Sequence, residues 1–170
     1  MAAKTVHELR VGERARLTRR VTEADLLLFA AATGDTNPVH FDPEYAGSTR
    51  FGGRIAHGIL AAGLISAVIA GELPGPGTVY VSQTLRFRMP VRVGDEITAE
   101  VEVTRVDAGK KRAWLRTVCR NQEGATVLEG EAVVLPPAVR TGSGELEAVE
   151  ARRQLLEARL EALRRFAAAG

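Results

Sequence analysis

Asp35, Asn37 and His40 stand close together in the stretch Gly34-Asp35-Thr36-Asn37-Pro38-Val39-His40-Phe41-Asp42. A carboxylate beside an imidazole can carry out two proton operations. One group activates an attacking water, and a proton is then returned to carbon. Burial and mutual charge would tune both groups. The pair alone has plainer readings too: Asp35 can cap a turn, and His40 can be a bonded loop histidine. Asn37 either orients the loop or serves only as the turn residue ahead of Pro38. Other chemistries lack their residues. There is one cysteine and three histidines, with no Cys-x-x-Cys or His-x-x-x-His spacing, which argues against a metal site. Glycine-rich phosphate loops and a Gly-x-Ser-x-Gly elbow are missing as well.

A second group of candidates surrounds the uncharged run Ile55–Gly71. Gly58 sits where a helix would begin. Free backbone N–H groups at that end can stabilise a developing oxyanion, and a residue without a side chain allows close approach. His57 reads either as a second catalytic base or, more simply, as a structural residue at the helix start. Ser66 is the hydroxyl of the run; it either bonds the preceding turn or faces a site. The run is shorter than a membrane span and rich in Gly and Ala, so a helix buried on every face inside a domain is expected.

The elements that would position these groups follow from patterning. Val11–Arg20 reads as a short first strand. Thr22-x-x-Asp25 is a capping pattern opening a helix through Leu26–Ala32, and Gly34 can end it. Asp35–Tyr45, with Pro38 and Pro43, reads as a fixed loop rather than helix or strand. Pro74-Gly75-Pro76-Gly77 breaks the second helix. Four alternating segments follow, Val79–Met89, Ile97–Val103, Arg112–Arg120 and Thr126–Leu135. Turns at Val93-Gly94-Asp95, Asp107-Ala108-Gly109 and Gln122-Glu123-Gly124 separate them, predicting antiparallel neighbours. An apolar helix and an alternating sheet bury each other if the sheet curves around the helix, an α+β hotdog architecture. Residues 1–137 form this domain, 138–144 a linker, and 145–170 an amphipathic helix. In that helix Leu146, Val149, Arg153, Leu156, Leu160, Leu163 and Ala167 keep a 3–4 spacing, and five Glu balance five Arg.

Composition narrows the partners. With 45% hydrophobic and 26% charged residues the chain has the profile of a globular domain. Its net charge of +2 is dispersed, which speaks against nucleic acid but would help an anionic ligand approach. The first residues carry charges and no apolar core, so no signal peptide is read, and a cytoplasmic location without membrane insertion is expected.

Gly34-Asp35-x-Asn37-Pro38-x-His40-x-Asp42 resembles the hydratase-2 motif of the MaoC-like family. The likeness continues through Phe51, Ile55-Ala56-His57-Gly58-Ile59-Leu60, Ser66 and Pro90-Val-x-Val-Gly94-Asp95, covering roughly Thr5 to Pro136. It is greatest to the single-hotdog (R)-specific enoyl-CoA hydratases that supply hydroxyacyl-CoA for polyhydroxyalkanoate synthesis. The resemblance implies Asp35 and His40 as the catalytic pair, Gly58 as oxyanion donor, and Asn37, Ser66, Gln83 and Thr84 near the substrate, with Arg86 and Arg88 toward CoA phosphates. It implies no metal or organic cofactor, CoA being part of the substrate, and a homodimer, with the C-terminal helix available for a higher oligomer. The implied reaction is reversible syn addition of water to trans-2-enoyl-CoA. A 3-hydroxyacyl-ACP dehydratase, another MaoC-like hydratase, and a non-catalytic acyl-CoA-binding or assembly module are the alternatives. Leu64, Ile65, Val68 and Ile69 do not reveal the preferred acyl length.

Overall fold

A computed structural model describes residues 3–139 and 143–169. β1 (Arg14–Arg20) leads into α1 (Glu23–Thr33) through the expected cap. The Asp25 carboxylate accepts the Thr22 N–H at 2.9 Å, while the Thr22 side chain accepts the Asp25 N–H at 3.3 Å. Two orphan donors are thereby satisfied. Gly34 ends the helix at φ 78°, a left-handed conformation that glycine adopts without penalty.

Beyond Gly34 the chain departs from the expected loop. Two short helices fill the segment, α2 (Pro38–Phe41) and α3 (Pro43–Ser48). Both prolines stand at a helix start, where a missing N–H breaks no intrahelical bond. The Asn37 side chain accepts from Val39 N–H and that of Asp42 from Glu44 and Tyr45 N–H. The same Pro, Asn and Asp residues that signal a turn are thus helix starters when they fall in the order cap, then proline.

α4 (Gly58–Gly71) precedes β2 (Val79–Phe87), β3 (Glu96–Asp107), β4 (Arg112–Arg120) and β5 (Thr126–Leu135). They form one antiparallel five-stranded sheet in the order β1-β3-β4-β5-β2. Sequential pairing holds from β3 to β5. It fails between β2 and β3, which the Val93-Gly94-Asp95 turn was expected to make neighbours. The connecting segment instead crosses the start of α4, where Val91 O accepts the Ala56 N–H at 2.7 Å and Asp95 O accepts the Val21 N–H at 2.9 Å. That crossing sends β2 to the far edge.

Alternation gives the sheet an inner face of Ala99, Val101, Val103, Leu115, Cys119, Leu128 and Ala132. Ile65, Val68 and Ile69 of α4 pack against this core, and all ten are 1% exposed or less. Burying each of the larger side chains contributes about 1.5–3 kcal/mol. Cys119 adds an Sγ···O contact of 3.5 Å to the Ala61 carbonyl. One sheet covers only one side of a helix, however. Ile59, Gly63, Ser66, Ala67 and Ala70 remain exposed, which corrects the expectation of a helix buried all round. The β2 edge is open too, with Val79, Val81, Phe87 and Met89 outward or at the margin.

α5 (Ser143–Ala169) lies along α1, tied by Arg164 to Asp25 at 3.4 Å. It turns a largely charged stripe inward: Arg153, Glu157, Glu161 and Arg164, with Ala158 and Leu160 among them, line a groove against Leu17, Ala67 and Ala70. Leu155, Leu156 and Leu163 are more than half exposed, and Phe166 is 83% exposed. Of the 3–4 spaced stripe, Leu156 and Leu163 thus stay more than half exposed, whereas Leu160 lines the groove. Leu146, Val149 and Ala167 of that stripe lie outside the described side chains, as do residues 140–142 of the expected linker. Among the described residues no helix is long and apolar enough to cross a membrane.

Candidate active site

Two segments meet at one corner of the molecule, residues 35–42 after α1, which include the short α2, and residues 55–57 before α4. His40, 7% exposed, has Nδ1 2.8 Å from the Ile55 carbonyl oxygen. A carbonyl can only accept, so Nδ1 carries a proton, and in a neutral imidazole Nε2 is then the atom that keeps its lone pair. His57, 2% exposed, has Nε2 3.0 Å from the Asp35 carbonyl oxygen. By the same logic its Nε2 carries the proton. Each segment thus clasps the other through one histidine. The rings pack against each other at a tilt of 35° with centroids 3.8 Å apart, and Phe29 and Phe41 flank His57 at 4.7 and 5.8 Å.

Asp35 is exposed beside this buried pair, with Oδ1 accepting the Asn37 N–H at 3.3 Å. Its carboxylate and a ring nitrogen from each histidine lie within 4.8 Å of one another. Asn37 acts on the backbone: its Oδ1 accepts the Val39 N–H at 3.2 Å and so starts the turn that carries His40. These donor types could ligate a metal.

An elongated cleft of about 380 Å³ opens at His40, lined by Phe51, Ile55, Ala56, Phe87, Met89 and Leu128 among others, with Arg50 and Arg88 on its walls. Gly58 lines it as the first residue of α4, where backbone N–H groups have no partner within the helix. A side chain there would meet Phe87, since an added Cβ would lie 2.7 Å from its Cε1. Arg88 is paired with Glu129, and that guanidinium holds the Glu129 carboxyl below the usual carboxylate range.

The remaining candidates are not gathered here. Ser66 lies on the exposed flank of α4, two turns beyond Gly58 and about 12 Å along the axis. Gln83 points to the inner face of the sheet, donating to the buried Thr117 hydroxyl at 3.1 Å and accepting from the Tyr80 hydroxyl at 3.3 Å. Burial, with Cys119 nearby, raises the Tyr80 phenol to about 12, so it remains a donor. Thr84, the next residue, falls on the opposite face, where its hydroxyl accepts the Glu131 N–H at 3.0 Å. Strand alternation separates Gln83 from Thr84 and puts Arg86 on Thr84's side; sequence proximity had grouped them. Arg88 lies past the strand end and alone of the two arginines reaches the cleft. Burial pushes the Cys119 thiol up to about 12, which keeps it unreactive.

Sequence reasoning missed the link from His57 to Asp35. His57 was read as a helix-start residue, and it does precede α4, but its side chain makes no capping bond. No local spacing signals a bond that spans 22 positions.

Comparison with known proteins bears on the family and the fold. The MaoC-like domain model matches residues 7–122. An (R)-specific enoyl-CoA hydratase of Rhodospirillum rubrum is 48% identical over 131 residues, covering 77% of this chain and 90% of that protein. A 3-hydroxybutyryl-CoA dehydratase of Methylorubrum extorquens is 45% identical over 145 residues, covering 81% and 92%. The structure of an (R)-hydratase from A. caviae involved in PHA biosynthesis superposes with a TM-score of 0.73 at 47% identity, covering 76% of this chain and 98% of that one. On sequence and hotdog fold together, the chain belongs to the MaoC-like domain family.

Proposed function

We propose that this protein is a hydro-lyase, an (R)-specific enoyl-CoA hydratase that adds water reversibly to trans-2-enoyl-CoA. The observation that carries this reading is the Asp35 carboxylate beside a His40 ring whose Nε2 retains its lone pair. A water molecule donating to two acceptors at about 2.8 Å holds them roughly 4.5 Å apart, within the 4.8 Å limit for the Asp35 carboxylate and one ring nitrogen of His40. Such a water presents its oxygen lone pair outward. It attacks the β-carbon, the C=C electrons move toward the thioester, and the enolate oxygen is met by the N–H groups opening α4 at Gly58. An O–H bond of the water breaks to the Asp35–His40 pair as the C–O bond forms. The pair then delivers a proton to the α-carbon from the same side, giving syn addition. Asn37 sets the turn under His40. The (R) outcome rests on the relatives' stereochemistry.

The acyl-CoA brings its own CoA, and we assign no metal or organic cofactor. Arg50 gives the cleft wall a basic group suited to an anionic substrate, while the charge of Arg88 is offset by Glu129. We assign no direct substrate contact to Gln83 or Thr84. Ser66 belongs to the uncovered α4 flank. That flank and the open β2 edge are the surfaces we assign to a homodimer, and any higher oligomer to the leucines of α5. We read the protein as cytoplasmic.

The test is loss of the conjugated enoyl-thioester absorbance with crotonyl-CoA and longer enoyl-CoAs. Rapid loss is expected, with Asp35→Asn and His40→Ala each at least about a hundredfold slower and still folded. Turnover confined to acyl-carrier-protein thioesters would make the protein a dehydratase of carrier-bound substrates. Binding without turnover would make it an acyl-CoA-binding module.

A further inference from the structure

Building on the assignment of Asp35 and His40, we propose that His57 is a positioning residue of the reaction, holding the catalytic aspartate by its own backbone carbonyl. Three observations converge on it. His57 is 2% exposed, yet it makes no capping bond to the helix it precedes. Its Nε2–H donates to the carbonyl of Asp35 itself, in the loop just after Gly34. Its ring lies against His40 at 3.8 Å, so one side chain touches both halves of the pair.

The bond is needed because the rest of Asp35's support is weak. Its N–H reaches the Thr33 hydroxyl at 3.3 Å and its Oδ1 the Asn37 N–H at 3.3 Å, both long and exposed. Among the described residues, only His57 ties this residue to the core. His40 is held by the converse bond, from Nδ1 to Ile55. The two clasps therefore require opposite tautomers, Nδ1–H at His40 and Nε2–H at His57. The Nδ1 of His57 is left buried without a partner. A ring kept only for packing would be better served by phenylalanine, which leaves no orphaned nitrogen.

Replacement variants separate donor from ring. In His57→Gln the amide nitrogen sits where Nε2 does and can still donate to Asp35. His57→Phe keeps a ring against His40 and loses the donor. Small misplacements of reacting groups can cost up to about a hundredfold. The expected result is a kcat loss of about ten- to a hundredfold in His57→Phe with little change in KM, and recovery of most of it in His57→Gln. Wild-type kcat in His57→Phe, or equal losses in both folded variants, would overturn the proposal.

Long-range ¹⁵N–¹H spectra of the imidazoles provide a readout independent of turnover and of variant folding. Opposite tautomers at His40 and His57 are expected in the wild-type protein; matching tautomers overturn the clasp. A wild type inactive on every enoyl thioester, but with opposite tautomers, would remove the hydratase reading and leave the clasp standing.

Discussion

The corner at residues 35–58 and the helix α5 are opposites. The corner has little regular structure, yet its groups are tied: Asn37 and Asp42 cap short helices, His40 bonds Ile55, and His57 bonds Asp35. α5 is one unbroken helix from Ser143 to Ala169, yet Leu155, Leu156, Leu163 and Phe166 stand in solvent and its tie to the domain is a charged contact. Regular backbone satisfies itself locally and needs no neighbour. Irregular backbone must find its partners in tertiary structure, and finding them fixes position. Catalysis needs fixed position, so the less regular region is the better place for it.

Four substitutions sharpen the contrast, in falling order of effect. Ile65→Ala removes a side chain, 1% exposed, from the core between α4 and the sheet. It should cost about 2–5 kcal/mol in denaturant unfolding; a loss under about 1 kcal/mol would mean that α4 is not held by this packing. Gly58→Ala puts a methyl group against Phe87 at the oxyanion end. A fall in kcat of about tenfold or more is expected with stability nearly kept, and unchanged kcat would separate Gly58 from the chemistry. Asn37→Ala deletes the cap under His40. Unfolding should report a loss of about 1 kcal/mol together with slower turnover; a stability loss without a rate loss would limit Asn37 to a turn role.

Arg164→Ala cuts the tie of α5. Asp25 keeps Arg19 at 2.6 Å and its bonds to Thr22, so a change under about 1 kcal/mol and no change in kcat are expected. A larger rate effect would bring α5 into the active region.

The smallest effect concerns pH at the sheet surface. Hydrogen bonding from Arg116, with help from Arg14, lowers the Glu102 carboxyl below its ordinary 4.5. Its folded value is depressed, so its contribution is present above pH 4.5 and is lost as pH falls through the lower, folded value. The stability gap between wild type and Glu102→Gln should therefore be small at pH 7 and close in acid. A gap that widens in acid would contradict the pairing.

The sequence by itself determined what local rules govern. The Thr22–Asp25 cap, the Gly34 stop, the β4 and β5 limits and the inner face of Ala113, Leu115, Thr117 and Cys119 follow from caps and alternation, which act within a few residues. The motif from Gly34 to Asp42 pointed to the acid–base pair by the same closeness. Only the tertiary structure decided the rest. It sent β2 to the far edge, because the segment after it crosses α4. It left one flank of α4 open, because one sheet covers one side. It turned the charged stripe of α5 inward toward Asp25. Finally it joined His57 to Asp35, a bond that exists because two distant irregular segments each had a carbonyl to satisfy and a histidine to satisfy it.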